Sequence, residues 1–181
     1  MASLPDEKRL HIERAVEQLT LDTGLSYPEN GLIEIANRLG ADVVEAPLPP
    51  LNDKKVKGFI RWFNDEDRGK KENKPFTARI YLNKDQFSDA SNFTLAHEIG
   101  HFILHKGSTS FRVDLQDYSE AGDPQNQETE ANFFAGTLLM PKDKLLRAIG
   151  DAKNLQEVAD AFAVSKPAVV ARLKWLHLKI S

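Results

Sequence analysis

The sequence contains no cysteine among its 181 residues. This absence excludes a disulfide-stabilised scaffold, a thiol nucleophile and every zinc site built on thiolate ligands. A metal ion bound by this chain would therefore have to rest on histidine, aspartate or glutamate side chains. Histidine itself is scarce, with five in the chain, so the positions of these five residues are informative.

Long apolar runs are also missing, since no uninterrupted stretch approaches the roughly 20 residues that span a bilayer. The first residues lack the apolar stretch of a signal peptide, so we expect a cytoplasmic protein with no membrane partner. A large excess of one charge is absent as well. The formal net charge is -3 at pH 7, which makes nucleic acid a less favoured direct partner than protein.

A chain of this length with 41% hydrophobic residues can bury one sizeable core. Apolar spacing and turn residues predict two helices, then a hairpin, then two longer helices. The predicted segments are helices ending at Gly24 and Gly40, strands over 59–63 and 78–82, and helices over 88–105 and 123–140. Asn30 is the predicted N-cap of the second helix. We expect an α+β fold class.

The most informative motif is His97-Glu98-Ile99-Gly100-His101, a match to H-E-x-x-H inside the third predicted helix. The composition gives about 0.01 chance occurrences of this pattern. Residues i and i+4 lie on one helix face about 5–6 Å apart, so both imidazoles can reach one zinc ion. Glu98 lies about 100° round the helix, where it can take a proton from the attacking water and deliver it to the leaving amine. Gly100 costs about 1 kcal/mol relative to alanine, which predicts a close neighbouring backbone.

Two histidines do not complete a zinc site, which needs a third protein ligand. The metzincin pattern is excluded, because it requires a glycine and a histidine where this sequence has Leu104 and Gly107. His105 continues the same helix face, but it lies two turns from His97 and is too far away to share one metal ion. We therefore interpret His105 as a residue that supports the ligands or the structure.

The next predicted helix offers two carboxylates, Glu128 and Glu130. Glu128 shares a face with Asn132 at i, i+4, so one could bind zinc while the other hydrogen-bonds a ligand histidine. Glu130 points about 200° away from Glu128, so one straight helix cannot supply both as ligands. We favour Glu128 as the third ligand and keep Glu130 as the alternative. Both also lie near a helix start, where the helix dipole favours acids without any metal.

Three segments of the second half form a specific combination of motifs. They are residues 93–105 (FTLAHEIGHFILH), residues 128–135 (ETEANFFA) and residues 138–141 (LLMP). Together they resemble the ImmA/IrrE family of metallopeptidases, from about residue 80 to the C-terminus. The resemblance implies a small gluzincin-like fold with an antiparallel sheet beside the two metal-bearing helices, Zn²⁺ as the cofactor, and a role in cleaving DNA-binding repressors or antitoxins.

The resemblance also implies roles for residues around the metal. In such folds the strand before the zinc helix often pairs with an extended substrate, by strand addition to a sheet edge. The residues of that predicted substrate strand are Arg79, Ile80, Tyr81 and Leu82. Gluzincins usually add a donor that stabilises the oxyanion. The candidates for that donor are Tyr118, Arg112 and His105.

Apolar spacing between residues 155 and 173 resembles a helix-turn-helix, with Ser165 capping the second helix. If this segment read DNA, Lys166, Arg172 and Lys174 would supply contacts. Five cations against three anions give residues 151–181 a charge of only +2, which favours a packing or partner-docking role. We divide the chain into a metallopeptidase-like domain, 1–150, and a helix-turn-helix-like segment, 151–181.

The sequence thus predicts a zinc-dependent, site-specific endopeptidase whose substrate is a regulatory protein, such as a helix-turn-helix repressor or an antitoxin. Two alternatives stay open. The first is a non-catalytic toxin-antitoxin or repressor-binding module in which zinc organises the fold. The second is a DNA-binding transcriptional regulator, and the weak basic excess of the C-terminal segment argues against it.

Overall fold

Helices pack with one small sheet in the computed structural model, which describes residues 4–64, 66–67, 75–85, 88–106, 111–113 and 124–178. The helices are α1 (Asp6–Thr23), α2 (Leu32–Leu39), α3 (Ser88–Leu104), α4 (Pro124–Leu139), α5 (Lys142–Asp151), α6 (Leu155–Ala161) and α7 (Lys166–Trp175). The strands are β1 (Ala41–Ala46), β2 (Val56–Trp62), β3 (Ala78–Asn83) and β4 (Phe111–Val113). The predicted α+β fold class is confirmed.

The four described strands form one sheet in the order β1-β3-β2-β4. β2 and β3 form the predicted antiparallel hairpin, with Ile60 opposite Ile80. β1 pairs with β3 in parallel, so the sheet is mixed and the expectation of an antiparallel sheet is wrong in this respect. The reason is the route of the chain. After β1 the chain forms β2 two strand positions away, and β3 then fills the place between them. β3 is therefore antiparallel to β2 and parallel to β1.

The predicted substrate strand lies inside the sheet. Arg79 to Leu82 belong to β3, which is hydrogen-bonded to β1 on one side and to β2 on the other. Strand addition requires a free row of backbone N–H and C=O groups, and both rows of β3 are already used. The assignment of Arg79, Ile80, Tyr81 and Leu82 to an added substrate strand is therefore wrong, because β1 occupies the edge that it required.

Glycine ends the first two helices as predicted. Gly24 and Gly40 have φ values of 69° and 93°, in the left-handed region that glycine enters without a Cβ clash. The predicted cap at Asn30 is wrong, because Gly31 occupies the N-cap of α2. The Asn30 side chain instead accepts a hydrogen bond from the Ser26 backbone N–H and closes the preceding turn.

The core lies between the sheet and helices α3 and α4. Alternate residues of β2 and β3, such as Ile60 and Ile80, are fully buried on the face that α3 covers. α3 and α4 approach closely at Gly100, where an added Cβ would lie 3.1 Å from Phe134 Cδ1 and 3.3 Å from Ala131 Cα. The predicted close backbone at Gly100 is confirmed, and it belongs to α4.

The C-terminal helices α6 and α7 pack against the same core. Arg172 of α7 is 1% exposed and donates hydrogen bonds to Met140 O at 3.2 Å and to Thr137 Oγ1 at 2.9 Å. Burial lowers the pKa of the Arg172 guanidinium to about 10, which leaves it charged at neutral pH. Ser165 caps α7 by accepting from the Ala168 N–H, as predicted. The domain boundary at residue 150 and the helix-turn-helix identity stay predictions.

Helices long and apolar enough for a bilayer are absent from the described ranges.

The contact between α4 and α7 predicts that one methyl group added at Gly136 destabilises the protein. Gly136→Ala would place a Cβ 2.8 Å from Trp175 Cζ3, so the Trp175 ring or the two helices must shift. We expect a loss of about 1–3 kcal/mol in the free energy of unfolding, measured by urea denaturation, because overpacking outweighs the gain in helix propensity. The matched control is Gly150→Ala in α5, where nothing lies within 4 Å of the added Cβ and a small gain is expected. Equal gains in both variants would contradict this packing.

Candidate metal centre

Helix α3 carries the two histidines of the H-E-x-x-H motif on its buried side. His97 and His101 are 0% and 1% exposed, although histidine is a polar residue. Their Nε2 atoms lie 3.0 Å apart, and the two rings meet edge to face with centroids 4.7 Å apart. One helical turn between the residues therefore brings two nitrogen ligands to the same point, as the spacing predicts.

Helix α4 adds the carboxylate of Glu128 to this point. Glu128 Oε2 lies 3.3 Å from His97 Nε2, and Oε1 lies 3.1 Å from His101 Nε2. These three residues form a group that could hold a metal ion. A tetrahedral zinc ion with bonds of about 2.0–2.2 Å needs ligand atoms about 3.3–3.6 Å apart, so the donor set fits zinc with small adjustments.

The charge of Glu128 suits a metal ligand. Burial acts to raise the pKa of this carboxyl, but its close contacts with His101 and His97 outweigh burial and lower the pKa well below its ordinary value. The group is therefore a carboxylate at neutral pH, which is the form that binds a metal ion. Its side chain is 40% exposed, so the cluster is open to solvent on the Glu128 side.

Glu98 lies on α3 directly after His97 and is 0% exposed. The structure therefore buries the side chain that follows His97 on this helix out of contact with bulk water. A carboxylate in such a position can hold a proton between two steps of a reaction without losing it to solvent. The predicted role of Glu98 as the proton acceptor stays a prediction.

Asn132 of α4 contacts the outer nitrogen of His97. The distance between His97 Nδ1 and Asn132 Oδ1 is 3.0 Å. A carbonyl oxygen only accepts hydrogen bonds, so His97 Nδ1 must carry the proton and donate. The Nε2 atom of His97 is then left with its lone pair directed at the cluster, which is the tautomer that binds a metal ion.

Glu130 lies outside the cluster and contacts His105. His105 Nε2 is 3.0 Å from Glu130 Oε2, while His105 Nδ1 is 3.0 Å from His101 Nδ1. Glu130 also forms an ion pair with Lys8 of α1. Of the two candidate carboxylates, Glu128 is thus the one next to the histidine pair. Sequence reasoning missed Lys8, because nothing local links residues that are 122 positions apart.

The protonation states of His105 and Glu130 depend on burial and on ion pairing. Burial lowers the pKa of His105, although its hydrogen bond with Glu130 opposes the shift. Burial acts to raise the pKa of Glu130, but contacts with Lys8 and His105 outweigh it and lower the pKa. A neutral imidazole beside a carboxylate is the expected state at neutral pH.

The other predicted oxyanion donors are not brought to the cluster by any described contact. Tyr118 lies outside the described residues. Arg112 lies on strand β4, and its side chain is also outside the described part. Their roles stay predictions. Arg79 is placed elsewhere, since its Nε donates to Asp42 Oδ2 of β1 at 2.7 Å.

Comparison with known proteins agrees with this architecture. No curated protein is significantly similar to the chain. Among solved structures, a Mycobacterium tuberculosis transcriptional regulator shares the fold, with a TM-score of 0.52 and 17% sequence identity. The match covers 94% of this chain and 47% of that protein, so the chain spans about half the length of this neighbour.

The family comparison is more specific. Residues 36–174 match the Peptidase_M78 family, described as the IrrE N-terminal-like domain. The matched segment includes β1 to β4 and helices α3 to α6, and therefore all three residues of the His-His-Glu group. The predicted ImmA/IrrE resemblance is confirmed, and the chain belongs to the Peptidase_M78 (IrrE N-terminal-like) family.

Proposed function

We propose that the protein is a zinc-dependent, site-specific endopeptidase, with His97, His101 and Glu128 as metal ligands and Glu98 as the proton carrier. The observation that carries the proposal is the convergence of two imidazole nitrogens, 3.0 Å apart, with the Glu128 carboxylate, whose two oxygens lie 3.1 Å and 3.3 Å from them. The chain belongs to a peptidase family, which supports a catalytic role for this donor set. Zinc is favoured because two imidazoles and one carboxylate form a known catalytic ligand set for zinc.

The chemistry divides between the metal and the side chains of this chain. A bound zinc ion would supply Lewis-acid polarisation of the scissile carbonyl and a lower pKa for water. Glu98 accepts one proton as the water oxygen attacks the carbonyl carbon, and the C–N bond breaks as the same proton passes to the amine nitrogen. His97, His101 and Glu128 keep their positions throughout, and Glu98 is the residue that moves the proton.

The proposed substrate is a regulatory protein, such as a helix-turn-helix repressor or an antitoxin. The family resemblance supports this choice, and the solved neighbour's description as a transcriptional regulator is consistent with it. The Glu128 side of the cluster is open, which leaves room for an extended segment of a protein substrate. A cytoplasmic setting is part of the same proposal.

The two alternatives make different demands on the structure. A non-catalytic binding module needs the metal cluster but not Glu98, so a cleavage experiment separates it from the enzyme. A DNA-binding regulator would use the cations of the C-terminal segment. Arg172, one of the three residues predicted for that role, is buried against Thr137 and Met140, so the DNA-binding alternative loses a contact.

Metal content tests the ligand set. We expect about one zinc per chain in the gently purified protein, measured by elemental mass spectrometry. His101→Ala and Glu128→Ala each remove one of three protein ligands, so both should lose nearly all bound zinc. His11→Ala is the matched control, because His11 is exposed on α1 and far along the chain from the cluster. Zinc retained in both ligand variants, or absent from the folded wild type, would contradict the proposed centre.

Cleavage tests the role of Glu98. Glu98→Gln keeps the size of the side chain but removes its ability to accept a proton, so we expect a loss of about 10²–10⁴-fold in cleavage rate. Zinc content should stay at the wild-type value. The measurement is cleavage of a peptide library prepared from a whole-proteome digest, with the cut sites identified by mass spectrometry.

The two proteins compared in this assay must carry equal zinc. Equal cleavage by the zinc-loaded wild type and Glu98→Gln would refute the proton-carrier role. No cleavage by the zinc-loaded wild type, on the library or on candidate repressors, would favour the non-catalytic binding module.

A further inference from the structure

A line of hydrogen-bonded side chains leads away from the metal cluster toward the surface. It runs from His101 Nδ1 to His105 Nδ1 at 3.0 Å, and from His105 Nε2 to Glu130 Oε2 at 3.0 Å. It ends at Lys8, which pairs with Glu130 and whose side chain is 53% exposed. We call the two middle members the His105–Glu130 relay.

The direction of each hydrogen bond in the relay follows from the chemistry of its ends. The Glu130 carboxylate only accepts, so His105 Nε2 must donate to it. A neutral imidazole has one N–H, so His105 Nδ1 then presents a lone pair and accepts from His101 Nδ1–H. His101 Nε2 is left with its own lone pair, and that atom faces His97 and Glu128.

The opposite arrangement would prevent metal binding by His101. If His105 Nδ1 carried the proton, His101 would have to accept at Nδ1 and carry its own proton at Nε2, inside the cluster. A protonated Nε2 has no lone pair for a metal ion. The carboxylate at the outer end of the relay therefore selects the useful tautomer of a histidine that it does not touch.

The two ligand histidines obtain this tautomer by different means. His97 donates directly to the carbonyl oxygen of Asn132, whereas His101 depends on a second imidazole and a charged group. Both arrangements leave Nε2 lone pairs that converge with Glu128. A cation at the point where these three groups converge would be attracted to each of them.

The lysine that holds the His105–Glu130 relay comes from a part of the chain outside the family match. Lys8 lies on α1, whereas the Peptidase_M78 match begins at residue 36. α1 packs against α4, and its Lys8 forms an ion pair with Glu130. The N-terminal helix is thus connected to the metal cluster through two side chains.

We propose that the His105–Glu130 relay, held by Lys8, positions His101 and fixes its tautomer for metal binding. This inference deepens the proposed function and rests on its metal site, although it does not depend on peptidase activity. His105 and Glu130 are positioning residues, since they act through His101 and do not contact the metal position themselves.

The test compares two replacements of His105 in the full chain. His105→Leu removes the acceptor for His101, and we expect zinc affinity to fall about 10–100-fold, measured by competition with a chromophoric chelator. His105→Gln offers a carbonyl oxygen to His101 and an amide N–H to Glu130, so it should recover most of the lost affinity. The absorption spectrum of the Co²⁺-loaded protein should change in the leucine variant and resemble wild type in the glutamine variant.

A second variant keeps the test decisive if His105→Leu does not fold. Glu130→Ala removes the charge at the outer end, and we expect a several-fold loss of zinc affinity. The matched control is Glu17→Ala, since Glu17 is exposed on α1 and should leave zinc affinity unchanged.

The outcomes separate this inference from the proposed function. Wild-type zinc affinity and Co²⁺ spectrum in both His105→Leu and Glu130→Ala would overturn the relay and leave the metal site intact. Equal losses in His105→Leu and His105→Gln would also overturn it, because hydrogen-bond polarity would then be irrelevant. No zinc binding by the wild type would overturn the metal site, and the relay with it.

Discussion

The close approach of helices α3 and α4 at Gly100 is the constraint on which the metal centre depends. Gly100 lies within the H-E-x-x-H motif, and the space that a Cβ would occupy is taken by Phe134 and by the backbone of Ala131. A larger residue there would separate the helices by a few tenths of an ångström or more. Such a shift matters, because the two imidazole nitrogens and the Glu128 carboxylate make contacts of 3.0–3.3 Å and zinc tolerates only small departures from its bond lengths. The helix propensity lost at Gly100 thus serves the geometry of the site.

Much of the architecture around this contact could be predicted from the sequence. Gly24 and Gly40 ended helices as expected, and the histidine spacing fixed one face of α3, since these features depend on a few neighbouring residues. The convergence of Glu128 with the histidines was also expected, because the angular positions on one helix restrict which carboxylate can be a ligand. Rules that depend on neighbouring residues therefore predict these secondary-structure elements and the residues at the centre of the site.

Features that depend on distant pairings were not predictable in this way. The parallel pairing of β1 with β3 is determined by the path of the chain, which the composition of the strands does not encode, and it removed the edge assigned to Arg79–Leu82. The ion pair of Lys8 with Glu130 requires knowing that α1 packs on α4. The sequence makes Arg172 a candidate DNA contact, yet its side chain lies buried. A single sequence gives no sign that Thr137 and Met140 accept its hydrogen bonds.

Helix α4 takes part both in the metal cluster and in the packing of α7, because different faces of the helix make these contacts. Glu128 and Asn132 face the histidines, while Gly136 and Thr137, with Met140 directly after the helix, contact Trp175 and Arg172 of α7. The Arg172 guanidinium donates to two acceptors inside the core and therefore has a packing role. Moving it out of the core would leave these buried acceptors without a donor. The C-terminal helices therefore stabilise the outer side of the helix that carries the third ligand. This arrangement favours a packing or docking role for the segment over DNA reading.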